Sequence, residues 1–274
     1  MAFETIDLTP RIASEVRMDK HTLLGGTHGP ALRDLLSRRG VLVIRDMELT
    51  DEEEIAFAAT MGTVRQDFGR PIMRVTFDRK ANPDHSDYFH ATFYWHMDGT
   101  HEDVPPLASM LSPRVLAPAG TGHTEFANTY LSWEELPASE KERLEGLMVA
   151  HTQAYAITPG LVPSEEQLAR IERLGTKLHP LVWTHRDGRK SLVLGGSAEQ
   201  VVGMDRAASD ALLDRLHQWI TRPDNVYHHE WRMGDVVIWD NTGTLHRALP
   251  YDKTCGRRLH RVTLVGEESI AQAA

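Results

Sequence analysis

The sequence has a single cysteine, Cys255, among its 274 residues. No internal disulfide can form, which argues against a small secreted fold held together by disulfide bonds. Residues 1–5 lack the basic and apolar regions of a signal peptide. No apolar run approaches the ~20 residues that are needed to cross a bilayer. We therefore expect a cytoplasmic protein that does not enter a membrane.

Positive charge is also scarce, since the chain has 30 basic and 39 acidic residues and therefore a net charge of −9. Binding to nucleic acid through phosphate contacts needs the opposite balance, so we expect no nucleic-acid partner. Low-complexity segments and internal repeats are lacking as well. Because 41% of the residues are hydrophobic, the chain can bury a substantial core. We predict one domain over residues 1–274.

The motif His96-Met97-Asp98 offers an imidazole and a carboxylate separated by one residue. On an extended chain these two side chains point to the same side, while Met97 points away. A second imidazole is available from His246, far downstream. Two histidines and one carboxylate can hold Fe(II) on one face and leave positions open for O2 and a cosubstrate. Because the chain has 15 histidines, such tripeptides arise by chance and need further support.

Two arginines that follow His246 provide this support. Arg257 and Arg261 are four residues apart, so on a strand they share one face, with Leu259 between them. A guanidinium group that enters a core is costly unless an anion meets it. Arginine suits a carboxylate because it donates two parallel hydrogen bonds. The pattern predicts a metal centre beside one or two anions of the size of a carboxylate or a sulfonate.

Many short apolar segments bounded by turn residues run along the chain. Strands are predicted at residues 40–45, 107–111, 124–128, 147–155, 226–231, 235–239 and 259–265, with a hairpin at 181–194. Helices are predicted at residues 30–39, ended by Gly40, at 50–61, begun by a capping box of Thr50 and Glu53, and at 205–221. Two more capping boxes, at 132–135 and 139–142, predict helices up to about Gly146. This order is typical of a mainly β fold with flanking helices, either a two-sheet sandwich or a jelly roll.

Two segments are candidate lids over the site. Residues 66–92 are irregular, and residues 156–178 contain a predicted helix at 164–175. Aromatic residues precede the metal motif, and among them we predict Tyr94 as a substrate contact.

Taken together with Gly122-His123-Thr124 and His179-Pro180-Leu181-Val182, these motifs resemble the TauD/TfdA family of Fe(II)/2-oxoglutarate-dependent oxygenases. The resemblance runs from about Gly40 to Gly266 and implies the double-stranded β-helix form of the jelly roll. It also implies the roles of six residues: His96, Asp98 and His246 as the iron ligands, Arg257 and Thr124 as partners of the far carboxylate of 2-oxoglutarate, and Arg261 as the partner of an anionic substrate.

The implied reaction consumes 2-oxoglutarate and O2 and releases succinate and CO2. It oxidises, most simply hydroxylates, a C–H bond of a small anionic substrate. Asp98 favours hydroxylation, because halogenating relatives lack this carboxylate. Desaturation, epimerisation and oxidative cleavage stay open, as does a role of Arg261 in supporting Arg257. A homo-oligomer is a family-level expectation.

Two other classes of protein stay open on the residues alone. His101 extends the motif to His-x-Asp-x-x-His, which a zinc hydrolase could use. A jelly-roll protein without redox chemistry could bind a small anion through Arg257 and Arg261.

Seven further histidines are predicted to be surface or core groups outside the site: His123, His151, His179, His185, His217, His228 and His229. One of them, His123, stands where members of the TauD/TfdA family usually have aspartate.

Overall fold

The computed structural model describes residues 3–82, 86–157 and 173–270, and the isolated positions 165 and 169. The described strands are β1 (Glu4–Asp7), β2 (Ser14–Arg17), β3 (Val41–Ile44), β4 (Met73–Val75), β5 (Ala108–Val115), β6 (Thr124–Asn128), β7 (Met148–Thr152), β8 (Thr176–Pro180), β9 (Val182–Thr184), β10 (Lys190–Leu192), β11 (Ala198–Val201), β12 (Val226–His229), β13 (Val236–Asp240), β14 (Thr244–Ala248) and β15 (Arg258–Thr263). The α-helices are α1 (Lys20–Leu24), α2 (Gly29–Arg39), α3 (Asp51–Met61), α4 (Thr129–Glu134), α5 (Ala138–Leu144), α6 (Gln153–Ile157) and α7 (Arg206–Ile220), with 3₁₀ turns at Ser86–Phe93 and Pro223–Asn225.

The largest sheet has seven strands in the order β1-β2-β3-β13-β5-β15-β4. Smaller sheets are formed by β12-β6-β14, by β11-β7-β8 and by β10-β9. Strands that are distant in sequence lie side by side, since β13 pairs with both β3 and β5, and β15 pairs with both β5 and β4. Such crossovers are expected of a jelly roll and not of a series of simple hairpins.

Alternation along β3 shows how the layers are stacked. Val41 and Val43 pack in a core with Phe126 of β6 and Tyr227 of β12. Leu42 and Ile44 point to the opposite side and pack in a core that includes residues of α2 and α3. The large sheet is thus covered by β6 and β12 on one face and by helices on the other. This is the sandwich with flanking helices that the alternating pattern predicts.

A third core lies around β9, β10 and the helices α4 and α7. It contains Trp183, Leu192 and Leu216, and it also takes in Trp95 and Met97 from the segment of the predicted metal motif. Met97 is therefore buried, whereas its two neighbours in the motif belong to the site described below.

Several local predictions are confirmed. Thr50 and Glu53 form a reciprocal capping box at the start of α3. Gly40 ends α2 with a φ of 71°, in the region that favours glycine. The helix predicted at residues 205–221 is present as α7, and the structure shows that Asp205 caps it by accepting a hydrogen bond from the amide of Ala208.

The two capping boxes predicted at residues 132–135 and 139–142 are wrong. Helix α4 begins earlier, because the side chain of Asn128 accepts a hydrogen bond from the amide of Leu131. Ser132 lies inside this helix and donates to the carbonyl of Asn128 instead. Helix α5 follows Pro137 without a side-chain cap. Both segments are helical as predicted, but other residues begin the helices.

The strand predicted at residues 147–155 is too long. It ends at Thr152, whose hydroxyl accepts a hydrogen bond from the amide of Tyr155, and α6 follows. The candidate lid at residues 66–92 contains β4 and a 3₁₀ turn. Most of the second candidate lid at residues 156–178 lies outside the described residues, including residues 164, 166–168 and 170–172 of the helix predicted at 164–175. None of the helices in the described part of the chain has both the length and the apolar character that a membrane crossing requires.

Candidate active site

A backbone bridge holds the two predicted imidazole ligands beside each other. The amide of His96 donates to the carbonyl of His246 at 3.0 Å, and the amide of His246 donates to the carbonyl of His96 at 2.9 Å. This reciprocal pair is the hydrogen-bonded pairing of antiparallel strands, which places both side chains on the same face. The two ring centroids lie 4.1 Å apart.

The backbone of Asp98 is held by the amide side chain of Asn241. The Oδ1 atom of Asn241 accepts from the amide of Asp98 at 3.0 Å, and its Nδ2 donates to the carbonyls of Asp98 at 2.9 Å and of Pro106 at 3.0 Å. The turn continues through Gly99 with a φ of +78°, where a Cβ atom would lie 2.4 Å from Pro106. Asn241 and Gly99 together fix the position of the Asp98 carboxylate relative to the two imidazoles.

The three side chains fit a divalent metal ion. The carboxylate of Asp98 lies 3.8 Å from Nε2 of His96 and 3.9 Å from Nε2 of His246. Donor atoms up to about 4 Å apart can share one ion when each lies about 2.1 Å from it. The Nδ1 of His96 lies 2.8 Å from the carbonyl of Tyr94, which can only accept, so this nitrogen carries the proton and the lone pair of Nε2 faces the centre.

The charges of the site suit metal binding. Burial by itself would raise the pKa of Asp98, but the guanidinium of Arg261 and the two imidazoles outweigh it and bring the pKa to about 2. Burial, together with the neighbouring His96, lowers the pKa of His246 well below its ordinary value. At neutral pH Asp98 is ionised and His246 is neutral, which are the states that a metal ion requires of its ligands.

Packing orients the His246 ring. Its Nδ1 is buried and has no hydrogen-bond partner within the described part of the chain. The ring lies 4.7 Å from that of Trp239 and 6.3 Å from that of Phe126, measured between centroids. Both aromatic side chains are fully buried, so the ring has little freedom to turn.

A narrow inner cavity leads from the two histidines to Arg257 and is also lined by Thr124 and Tyr251. Arg257 is buried, and no carboxylate of residues 3–82, 86–157 or 173–270 lies within ion-pair distance of it. Its Nη2 donates to the carbonyl of Gly122 at 3.0 Å, and its guanidinium lies over the ring of Tyr251. Burial lowers the pKa of Arg257, but an arginine stays charged at neutral pH. The cavity therefore presents a buried cation without an anion.

An outer cavity of about 370 Å³ is lined by His96 and Asp98. Arg261 lines it and donates from Nη1 to the carboxylate of Asp98 at 3.2 Å. Much of the remaining wall is apolar, with Phe68, Met73, Ala91, Met97 and Leu174 among the lining residues.

Comparisons with known proteins identify the family of this chain. The family model described as "Taurine catabolism dioxygenase TauD, TfdA family" matches residues 4–263. The chain belongs to this family. A 2,4-dichlorophenoxyacetate dioxygenase dependent on alpha-ketoglutarate, from Burkholderia sp. strain RASC, is 32% identical over 91% of each chain. An alkylsulfatase from Acinetobacter baylyi is 32% identical over 95% of this chain and 84% of its own. AAD-2, whose crystal structure holds Mn(II) and N-oxalylglycine, matches with a TM-score of 0.84 at 28% identity, covering 99% of this chain and 100% of its own.

Membership of the TauD/TfdA family confirms the predicted jelly-roll fold. It also confirms the predicted enzyme class, a 2-oxoglutarate-dependent non-haem iron dioxygenase.

The structure brings six of the seven predicted site residues together. His96, Asp98 and Arg261 line the outer cavity, and His246, Thr124 and Arg257 line the inner one, which His96 and Arg261 also border. The side chain of Tyr94 lies elsewhere: it is 40% exposed and lines a separate cavity beside Trp95. His101, the third residue of the zinc alternative, does not join the group that could hold a metal. Tyr94 contributes through its backbone carbonyl, which a side-chain pattern does not reveal.

Sequence reasoning missed Asn241, Tyr251 and Gly195. Gly195 has a φ of +130°, and a Cβ atom there would lie 3.0 Å from the Cα of His96. The amide of Gly196 donates to the carbonyl of Trp95 at 2.8 Å, which fixes this close approach. The adjacent glycines were a usable signal, because glycine directly after an apolar strand can mark a close approach of another backbone segment. Tyr251 and Asn241 had no spacing that could single them out.

We predict that Asn241→Ala weakens metal binding about 10- to 100-fold, because the backbone of Asp98 loses its support. Asn225→Ala is a matched control. Asn225 is also fully buried and donates to Asn128, Ser132 and Ile220, away from the site. Isothermal titration with Mn(II) should show weaker binding for Asn241→Ala alone, while thermal unfolding should show both variants to be destabilised. Equal metal affinities of the two variants would contradict the proposed role of Asn241.

Proposed function

We propose that this protein oxidises a C–H bond of a small organic anion, using Fe(II), O2 and 2-oxoglutarate. The observation that carries the proposal is the juxtaposition of two histidines and a carboxylate with Arg257, a buried arginine that has no carboxylate partner among the described residues. A metal site alone would suit a hydrolase, and a lone arginine would suit an anion-binding protein. A cosubstrate that has both a metal-chelating end and a distant carboxylate accounts for the two features together.

In this proposal Fe(II) is held by His96, Asp98 and His246, and 2-oxoglutarate occupies the inner cavity. When bound, iron and 2-oxoglutarate supply the oxidation of the C–H bond by O2, with release of succinate and CO2. The chain positions the reactants. Arg257 donates charge-assisted hydrogen bonds to the far carboxylate, each contributing roughly 1.5–3 kcal/mol.

The hydroxyl of Thr124 completes this carboxylate site. It accepts a hydrogen bond from the indole of Trp231 at 3.0 Å, so its own proton can be donated to a carboxylate. Apolar side chains of Val75, Leu111 and Leu259 line the same cavity and exclude water. In such surroundings the attraction between Arg257 and an anion is stronger than in water.

The outer cavity is proposed as the substrate site. Its apolar wall suits an apolar body, and Arg261 suits one anionic group. Relatives named for 2,4-dichlorophenoxyacetate, (S)-phenoxypropionate and sulfate esters are consistent with this chemistry, since all of these compounds combine an anionic group with an organic body. Hydroxylation is the simplest outcome, because Asp98 occupies the position where halogenating enzymes bind halide.

We further propose that residues 1–274 act as one oxygenase domain in the cytoplasm, where reducing conditions suit ferrous iron and the lone Cys255. Phe68 and Ala91, from the candidate lid at residues 66–92, line the outer cavity. This placement supports a role of the segment in shaping the substrate site. Association into a homo-oligomer stays a prediction.

His96→Ala should abolish succinate release, because the remaining two side chains cannot hold iron in a reactive geometry. The assay measures succinate from 2-oxoglutarate with 2,4-dichlorophenoxyacetate and octyl sulfate as probes, in the presence and absence of Fe(II). His21→Ala, which removes an exposed histidine of α1, serves as the control and should keep wild-type turnover. Full iron-dependent turnover by His96→Ala would refute the assignment of the ligands.

Arg257→Gln should raise the KM for 2-oxoglutarate about 10- to 100-fold, because an uncharged amide replaces the partner of the far carboxylate. The KM for the organic substrate should change much less. Arg258→Gln is the matched control, since Arg258 follows directly in the chain and lines neither cavity. If both variants have the KM of the wild type for 2-oxoglutarate, the inner cavity is not the cosubstrate site.

Arg261→Gln should raise the KM for an anionic substrate at least about tenfold, which corresponds to about 1.4 kcal/mol of lost binding free energy. The methyl ester of the same substrate is the control. It lacks the negative charge, so its KM should change little. Steady-state kinetics at saturating 2-oxoglutarate would measure both. An equal effect on acid and ester, with a raised KM for 2-oxoglutarate, would instead assign Arg261 to the support of the cosubstrate site.

A further inference from the structure

The strand pair β6–β12 carries a second group of histidines and carboxylates on the face opposite to Thr124. In the register of this pair Glu125 lies opposite His228, and Thr124 lies opposite His229. One residue beyond the paired ends, the same register places His123 opposite Glu230. Because alternate residues share a face, His123, Glu125, His228 and Glu230 lie together on one side of the pair.

Three of these residues have the geometry of a metal site. His123, His228 and Glu230 each offer a ligand atom within 4.8 Å of the others, which is the separation that also defines the group of His96, Asp98 and His246. The Nδ1 of His123 and the Nε2 of His228 are hydrogen-bonded at 2.7 Å, with the rings nearly perpendicular at 78°. A tetrahedral ion bound by both nitrogens would replace the proton that they share and hold them roughly 3.3 Å apart, so a small rotation of the rings suffices to admit it.

The fourth residue, Glu125, orients one of the ligands. Its Oε1 lies 3.3 Å from the Nδ1 of His228, and its Oε2 accepts from Nε of Arg247 at 2.8 Å. A proton on Nδ1 of His228 that is donated to Glu125 leaves the lone pair of Nε2 directed at His123. Metal-binding histidines characteristically have such a carboxylate on the second ring nitrogen, where it fixes the tautomer and the orientation of the ring.

We propose that His123, His228 and Glu230 form a second metal site, separate from the catalytic centre, that binds Zn²⁺ or a similar borderline dication. Two imidazoles and one carboxylate match this class of ion, whereas Mg²⁺ and Ca²⁺ prefer oxygen ligands throughout. His228 and Glu230 are exposed, so an ion can reach the site and water can complete its coordination. The proposal gives His123 and His228 a role beyond the prediction that they are surface or core groups outside the catalytic site.

The position of the site links it to the cosubstrate cavity. His123 lies between Gly122, whose carbonyl accepts the hydrogen bond of Arg257, and Thr124, whose side chain lines the inner cavity. An ion shared by His123 and His228 would tie β6 to β12 at this point. Zinc should therefore raise the melting temperature of the protein and steady the segment that carries two contacts of the cavity.

The number of zinc ions bound by the wild type, by two single variants and by the double variant tests the proposal. Equilibrium dialysis against micromolar free Zn²⁺, followed by elemental analysis, should give two ions per chain for the wild type and one each for His228→Ala and His246→Ala. The variant that combines both substitutions should bind none. His21→Ala, a remote exposed histidine, should bind two. A wild type that binds a single ion, or a His228→Ala variant that still binds two, would overturn the proposal.

If His228→Ala fails to fold, as judged by circular dichroism without metal, a second measurement still tests the site. Glu230→Gln changes one exposed side chain and, in the His246→Ala background, should weaken zinc binding at least tenfold. In this background Co²⁺ should also give the visible absorption of an ion with nitrogen ligands, and Glu230→Gln should reduce it. Unchanged zinc affinity and an unchanged cobalt spectrum in the Glu230→Gln variant would reject the site even if His228→Ala is unstable.

Discussion

The reciprocal backbone hydrogen bonds between His96 and His246 are the constraint on which the candidate site depends. They join a short bridging segment to β14 and so place two imidazoles on one face. The segment at Gly195 packs directly against the backbone of His96. This close approach is possible because Gly195 has no Cβ atom. Asn241 then sets the position of Asp98 relative to the pair. Metal geometry is thus determined mainly by the backbone and not by flexible side chains, which is why the site can be rigid before a ligand arrives.

Charge is distributed unequally between the two cavities. In the outer cavity Arg261 lies against Asp98, so the carboxylate has a counterion before any metal binds. In the inner cavity Arg257 is stacked on Tyr251 and bound to a carbonyl but has no carboxylate among the described residues. A buried cation left in this state destabilises the fold and favours an anionic ligand for the same reason. This difference distinguishes the inner cavity, which is proposed for the cosubstrate, from the outer cavity beside the candidate metal ligands.

Much of the site followed from short-range patterns. The spacing of His96 and Asp98 and that of Arg257 and Arg261 gave the correct shared faces, because side-chain direction along an extended chain depends only on the backbone. The start of α3 was correct for a similar reason, since Thr50 and Glu53 satisfy each other locally. The caps predicted at Ser132 and Ser139 were wrong because Asn128 and Pro137 begin those helices earlier. Tyr94 was placed in the substrate site on aromatic character alone, and the turn before His96 directs its side chain to another cavity.

The sequence by itself determined the kinds of donor atom, the faces that they share along each strand and the family to which the chain belongs. The donor atoms and the family follow from residue identity, and the shared faces follow from the two-residue repeat of side-chain direction along a strand. Both can be read from the sequence. Only the tertiary structure decided which distant residues meet, as in the pairing of His96 with His246, the support of Asp98 by Asn241 and the alignment of His123 with His228. The physical reason is that strand pairing in a jelly roll joins segments far apart in sequence, and no local pattern encodes that register.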